Sequence, residues 1–245
     1  MMRLFCLLSV TFLLGCGLSH GEDRYLAAGA SASDREWRAS DYRVLLKLIR
    51  EKKVPLPYLS DPDGQKILRR FCALENLSFG RNRGLPLETR LQDFLTLHQG
   101  TAQMVTLYVG EVAEGRKGEA EMSLLLSFML HTSALGIDLV DEFLPTLPKD
   151  DSSYETRMAG LVKMKSGLAT VFAGAYTSIA EDEIYKDAQR SAILEAVSLT
   201  VPQFATVLGE ETKKEMADKF GKLADRFQSS QDQENLQKIT ASLKK

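Results

Sequence analysis

The sequence predicts an all-α protein, a multi-helix bundle of about seven helices with long buried central helices. Two observations lead there. From about residue 34 onward, apolar residues recur at the three- and four-residue spacing of a helix face, and no run alternates with the period of two that a half-buried strand requires. In addition, four stretches carry no Asp, Glu, Lys or Arg: Phe94 to Gly110, Met122 to Ile137, Ser166 to Ala180 and Ala196 to Gly209, of 17, 16, 15 and 14 residues. Each mixes Ser, Thr, Gly and Ala with larger apolar residues and is flanked by charge, the composition of helices buried on most sides. A membrane-inserting alternative needs spans of about 20 predominantly apolar residues, and these centres are shorter and more polar.

Trp37, Leu45, Leu48 and Ile49 mark one face of a first helix. It ends before Pro55 and Pro57, because proline lacks the backbone donor and clashes with the preceding turn. Ser60-Asp61-Pro62 supplies cap residues and an early-turn proline for a second helix running to about Asn76. Gly80 to Pro86, rich in Gly and Arg, is a loop. Three long helices follow at about residues 87–114, 117–144 and 152–182, separated by Gly115-Arg116-Lys117-Gly118 and by the segment from Pro145 to Asp151. A further pair covers about 186–208, interrupted at Pro202, and 210–228. On the latter, Met216, Phe220, Leu223 and Phe227 form a narrow apolar seam with four-three-four spacing, suited to docking on the chain's own bundle or on a second copy. A short segment with Leu236, Ile239 and Leu243 closes the chain. Gly100 in the third helix and Gly160, Gly167 and Gly174 in the fifth each cost helix propensity. The last three lie roughly along one side, where either a neighbouring helix packs tightly or a long apolar ligand finds a groove. No repeat at a fixed period is present.

The 245 residues carry 31 Lys and Arg against 33 Asp and Glu, a formal net charge of −2, which gives no general affinity for nucleic acid. The charge is unevenly spread. From Arg43 to Arg90 eleven basic residues stand against five acidic ones, and from Glu111 to Glu183 six stand against thirteen, so a basic and an acidic face are expected. Lys66, Arg69, Arg70, Arg81, Arg83 and Arg90 form the candidate recognition patch, since several arginines within reach offer bidentate donors to an acidic protein partner or to anionic headgroups. A solvated face that balances the acidic half is the plainer reading.

The first residues bear on the compartment. Arg3 precedes an apolar run from Leu4 to Leu14 that ends in Gly15-Cys16, too short to span a bilayer stably, so it reads as an export signal. Leu13, Gly15 and Cys16 resemble the lipobox of bacterial lipoproteins, which places a leucine three residues before an obligatory cysteine and a small residue immediately before it. That resemblance implies removal of residues 1–15, acylation of Cys16 and a lipid anchor holding the protein to the membrane on its periplasmic or extracellular side. An ordinary secretory signal cut after Gly21, giving a soluble secreted protein, is the alternative. Residues 16–33, rich in Gly, Ala and Ser, read as a flexible tether reaching roughly 55 Å when extended, and residues 34–245 as the helical domain. Cys72 is then the lone cysteine of the folded part, with no disulfide framework around it, and reads as a small buried hydrophobe. In a eukaryotic secretory route Asn76-Leu77-Ser78 would be a glycosylation acceptor.

His98 and His131 both fall within uncharged centres, and Asp138 lies two turns beyond His131 on roughly the same side. No His-Glu-x-x-His, Glu-x-x-His or cysteine pair accompanies them, so neither a metal nor a cofactor is expected. Asp61-Pro62-Asp63-Gly64 has its glycine at the wrong position for a calcium loop and reads as a helix cap. There is no Gly-x-Ser-x-Gly elbow, phosphate loop or dinucleotide fingerprint. The expectation is a binding or assembly component of the cell envelope that acts without catalysis. Its first rival is a bundle binding lipid or another apolar ligand, marked by a continuous cavity between central helices. The second is an enzyme using His98 or His131, marked by imidazole and acidic groups converging in an open cleft.

Overall fold

The computed structural model describes Tyr25 and residues 36–115, 118–181 and 184–245, and among these described residues there are eight α-helices and no strand. The all-α expectation is borne out. The export signal, Cys16, the rest of the tether apart from Tyr25, and residues 34–35 lie outside the described residues.

Helix α1 (Ala39–Arg50) buries Tyr42, Leu45, Leu46 and Ile49 at helical spacing. Helix α2 (Pro62–Phe71) starts as expected, with the Asp61 side chain accepting from the Gly64 amide at 3.2 Å and Pro62 in the first turn, where a missing N–H costs nothing. Its end corrects the sequence reading, which carried it to Asn76. The Asn76 side-chain amide donates to the Arg70 carbonyl (2.6 Å) and to the Tyr42 hydroxyl (2.9 Å), while Tyr42 itself donates to the Phe71 carbonyl (2.6 Å). These bonds satisfy carbonyls that the end of a helix leaves without partners. The chain continues as a 3-10 segment, Leu74–Arg81.

The long helices α3 (Leu87–Ala113), α4 (Glu119–Phe143) and α5 (Tyr154–Ala180) fall within two residues of expectation. Helix α6 (Asp187–Ala205) runs through Pro202, where an interruption was expected. Pro202 is exposed in the last turn, so its ring meets solvent and its missing donor affects only backbone bonds near the helix end. Helices α7 (Glu210–Gly221) and α8 (Ser230–Leu243) complete the bundle, α8 capped by Ser229, which accepts from the Asp232 amide at 3.0 Å. The seam of Met216, Phe220, Leu223 and Phe227 is buried within the chain's own bundle. Its Phe220 ring lies 5.7 Å from Phe172 and 5.2 Å from Tyr176 of α5.

Helix α4 is the hub, packed against α3, α5, α6 and the 3-10 segment. Among the described residues it is the one helix long and apolar enough to cross a membrane, and 61% of that stretch is buried in the bundle. Its apolarity is therefore matched by protein neighbours. Uncharged centres do not all behave alike, which corrects the expectation of uniformly buried central helices. Helices α4 and α6 are enclosed on most sides, whereas α3 and α5 bury a single face. On α5, Leu168, Phe172, Ala175 and Ile179 face the core and Gly160, Gly167 and Gly174 face outward, where an added Cβ would meet nothing within 4 Å. Of the central-helix glycines, Gly100 makes a close approach, its added Cβ standing 3.3 Å from the Tyr42 Cβ, and so does Gly136, which lies under Phe94 and Leu168.

Candidate functional site

One side of α4 is left open as a groove. Ala120, Leu124, Ser127, His131, Leu135 and Asp138 follow one another in steps of three or four residues, so they form a single stripe of the helix, and this stripe is the groove floor. Helix α6 makes one wall through Ala188, Ala192, Glu195, Leu199 and Gln203, again in helical steps. The other wall is Arg69 and Cys72 at the end of α2, then Leu74, Glu75 and Arg81 of the 3-10 segment. Two cavities, of about 650 and 800 Å³, meet at His131 and share Leu74 and Leu199 on opposite walls. From Ala120 to Glu142 the groove follows α4 for roughly 33 Å at 1.5 Å per residue.

Two buried polar anchors hold the second wall. Asn76, 3% exposed, ties the 3-10 segment to α1 and α2, and its side-chain oxygen also accepts from the Trp37 amide at 2.7 Å. This burial leaves no room for a glycan there. Arg90, at the start of α3 and 3% exposed, donates to the Gly80 carbonyl (2.9 Å) and grips Glu142 of α4 with two nitrogens (2.6 and 3.1 Å). The paired guanidinium holds the Glu142 carboxyl below its ordinary range, and Glu142 raises Arg90 in return. Arg83 also pairs with Glu142 and so bridges the groove at that end.

The recognition patch read from the sequence is thus divided. Arg69, Arg81 and Arg83 are exposed on the groove, Lys66 and Arg70 do not line it, and Arg90 is a buried structural pin, which removes it from any recognition surface. The Cys72 thiol is pushed far up by burial and stays protonated, as expected of a small hydrophobe.

The histidines do not converge. His98 lies between α3 and α4, its ring centroid 5.5 Å from Phe94 and its Nδ1 3.4 Å from the Thr132 hydroxyl, while His131 sits on the groove floor. Burial lowers the pKa of both, opposed at His131 by Glu195. Burial, then repulsion from Asp141, raises Asp138, against the pull of Gln203, Arg81 and Lys165. His131 therefore does share an open cleft with acidic groups. What the cleft lacks is an oriented base or an activated nucleophile: no described side chain hydrogen-bonds to the His131 ring, and the Ser127 hydroxyl donates at 2.9 Å to the Ser123 carbonyl of its own helix. Among the described residues no three His, Cys, Asp or Glu side chains gather as a metal site.

No protein-family model matches the chain, and no curated protein or solved structure matches it. Fold and site together define a helical bundle with a long open groove. Leu74, Leu199 and Gln203 belong to that groove without having stood out in the sequence, where each is an ordinary member of a helical pattern.

Proposed function

We propose that this chain is exported, held to the outer side of a cell membrane through a lipid on Cys16, and acts by binding an elongated partner along α4. The observation that carries the reading is the pair of leucines facing one groove. Leu74 is 49% and Leu199 59% exposed. Single exposed leucines need no explanation, but two on opposite walls of one channel mark a surface meant to be covered. The groove is open along its length, which favours a partner laid into it over a small apolar ligand enclosed between central helices. The lipobox-like signal supports the anchor, and the tether would let the groove stand clear of the lipid surface.

Mass spectrometry of the mature N-terminus should find acyl groups on Cys16, and a soluble form beginning at Glu22 would remove the anchor. In the envelope of its host, Leu74→Glu combined with Leu199→Glu should abolish cross-linking to partners without altering the helical circular-dichroism spectrum. Val162→Glu, at a residue 51% exposed on α5, should change nothing. Identical adducts from wild type and the double variant would show that the groove is not the binding site.

A further inference from the structure

We propose that the occupant of the groove is an amphipathic α-helix of a protein partner, about 18 residues long, with one acidic flank and one basic flank. The inference rests on the groove being the binding site and adds the class of partner and the way it is read. Its first ground is that the two walls differ in the sign of their charge. Arg69 and Arg81 stand on the wall made by α2 and the 3-10 segment, outnumbering Glu75, whereas Glu195 is the charged residue of the facing α6 wall and Asp138 lies on the floor between them. Arg83 and Glu142 are committed to each other at the end and close the groove there. Between Ala120 and Asp138 the floor measures roughly 27 Å, the length of an 18-residue helix.

The second ground is the surface between the charges. Ala120 and Ser127 of α4 and Ala188 and Ala192 of α6 line the groove, so the seam of these two helices presents small side chains on which a third helix backbone can nest. Leu74 and Leu199 rise on either side of it and would pack against the apolar stripe of the incoming helix, as in other helix-in-groove complexes. An acyl chain would use the apolar floor, but its single headgroup meets one end and has no use for two charged walls. Opposite walls match a helix whose acidic flank faces the arginines and whose basic flank faces Glu195, the arrangement by which flanking charges set pairing in coiled coils.

The full chain, held in lipid nanodiscs, is titrated with three synthetic 18-residue helical peptides sharing one leucine-alanine seam. One has a glutamate flank and a lysine flank, one has glutamate on both and one has lysine on both. The mixed peptide should bind about tenfold more tightly than either of the others, with the margin shrinking in high salt. Arg69→Glu with Arg81→Glu makes both walls acidic and should switch the preference to the all-lysine peptide. Equal binding of the three, or an unchanged order in the variant, overturns the inference. A photo-reactive residue placed at position 74 or 199 of the full chain in its own host, with position 162 as control, separates this failure from that of the groove itself. Cross-links from both groove positions to one polypeptide segment with an apolar three-four pattern and oppositely charged flanks support the helix. Cross-links to lipid alone overturn the helix and leave the groove, and none above the control overturns both.

Discussion

Arg90 and Arg81 lie nine positions apart in one basic run and end with opposite fates. Arg90 is buried against Glu142 and the Gly80 carbonyl, and Arg81 is exposed on the groove. Nothing in residue type separates them, because the difference is made by a carboxylate 52 positions away. The two partly buried histidines make a sharper claim. Their pKa values lie below the ordinary 6.5 because burial penalises the imidazolium. As pH falls, the unfolded chain takes up these protons before the folded one does. The stability associated with neutral His98 and His131 is thus fully present above about pH 6.5 and is lost progressively below it. Glu142, whose carboxyl is lowered, acts in the same direction further into the acid range, whereas Asp138, which is raised, opposes it there. Thermal melts should therefore show Tm falling once the pH drops below about 6.5, and His98→Gln should flatten that fall. A constant Tm between pH 7.5 and 5 would contradict the burial of both rings.

At the scale of elements, periodicity revealed the helices well and their surroundings poorly. Helices α3, α4 and α5 were legible because each pairs a long three-four apolar pattern with breakers at both ends. The end of α2 was not, since it depends on Asn76 reaching back to carbonyls and to Tyr42. The glycines of α5 were visible as a line but not as an outward one: a tight seam and an open face leave the same sequence trace. Energetics separates the two. Gly167→Ala and Gly174→Ala place a methyl group in open space, so each should stabilise the fold by up to about 1 kcal/mol through helix propensity. Gly136→Ala forces its methyl into Phe94 and Leu168 and should cost about 1–3 kcal/mol. Urea unfolding measures all three, and destabilisation by the α5 substitutions would mean that another surface covers that face.

Across the whole molecule, the uneven charge of the sequence reappears as geometry. Arg69 and Arg81 come from the basic stretch and Asp138 from the acidic one, and the fold brings them into one channel, the arginines on a wall and Asp138 on the floor. The channel itself was not legible, because its floor and walls come from four segments that meet only after α4 is enclosed by its neighbours. The most direct measurement compares hydroxyl-radical footprints of the full chain in its native envelope and after purification. Leu74 and Leu199 should be strongly protected in the envelope, while Val109 and Val162, each 51% exposed on the outer faces of α3 and α5, should react equally in both states. Equal oxidation of Leu74 and Leu199 in the two states, with protection falling instead on Val109 or Val162, would contradict the assignment of the groove as the surface through which this protein binds.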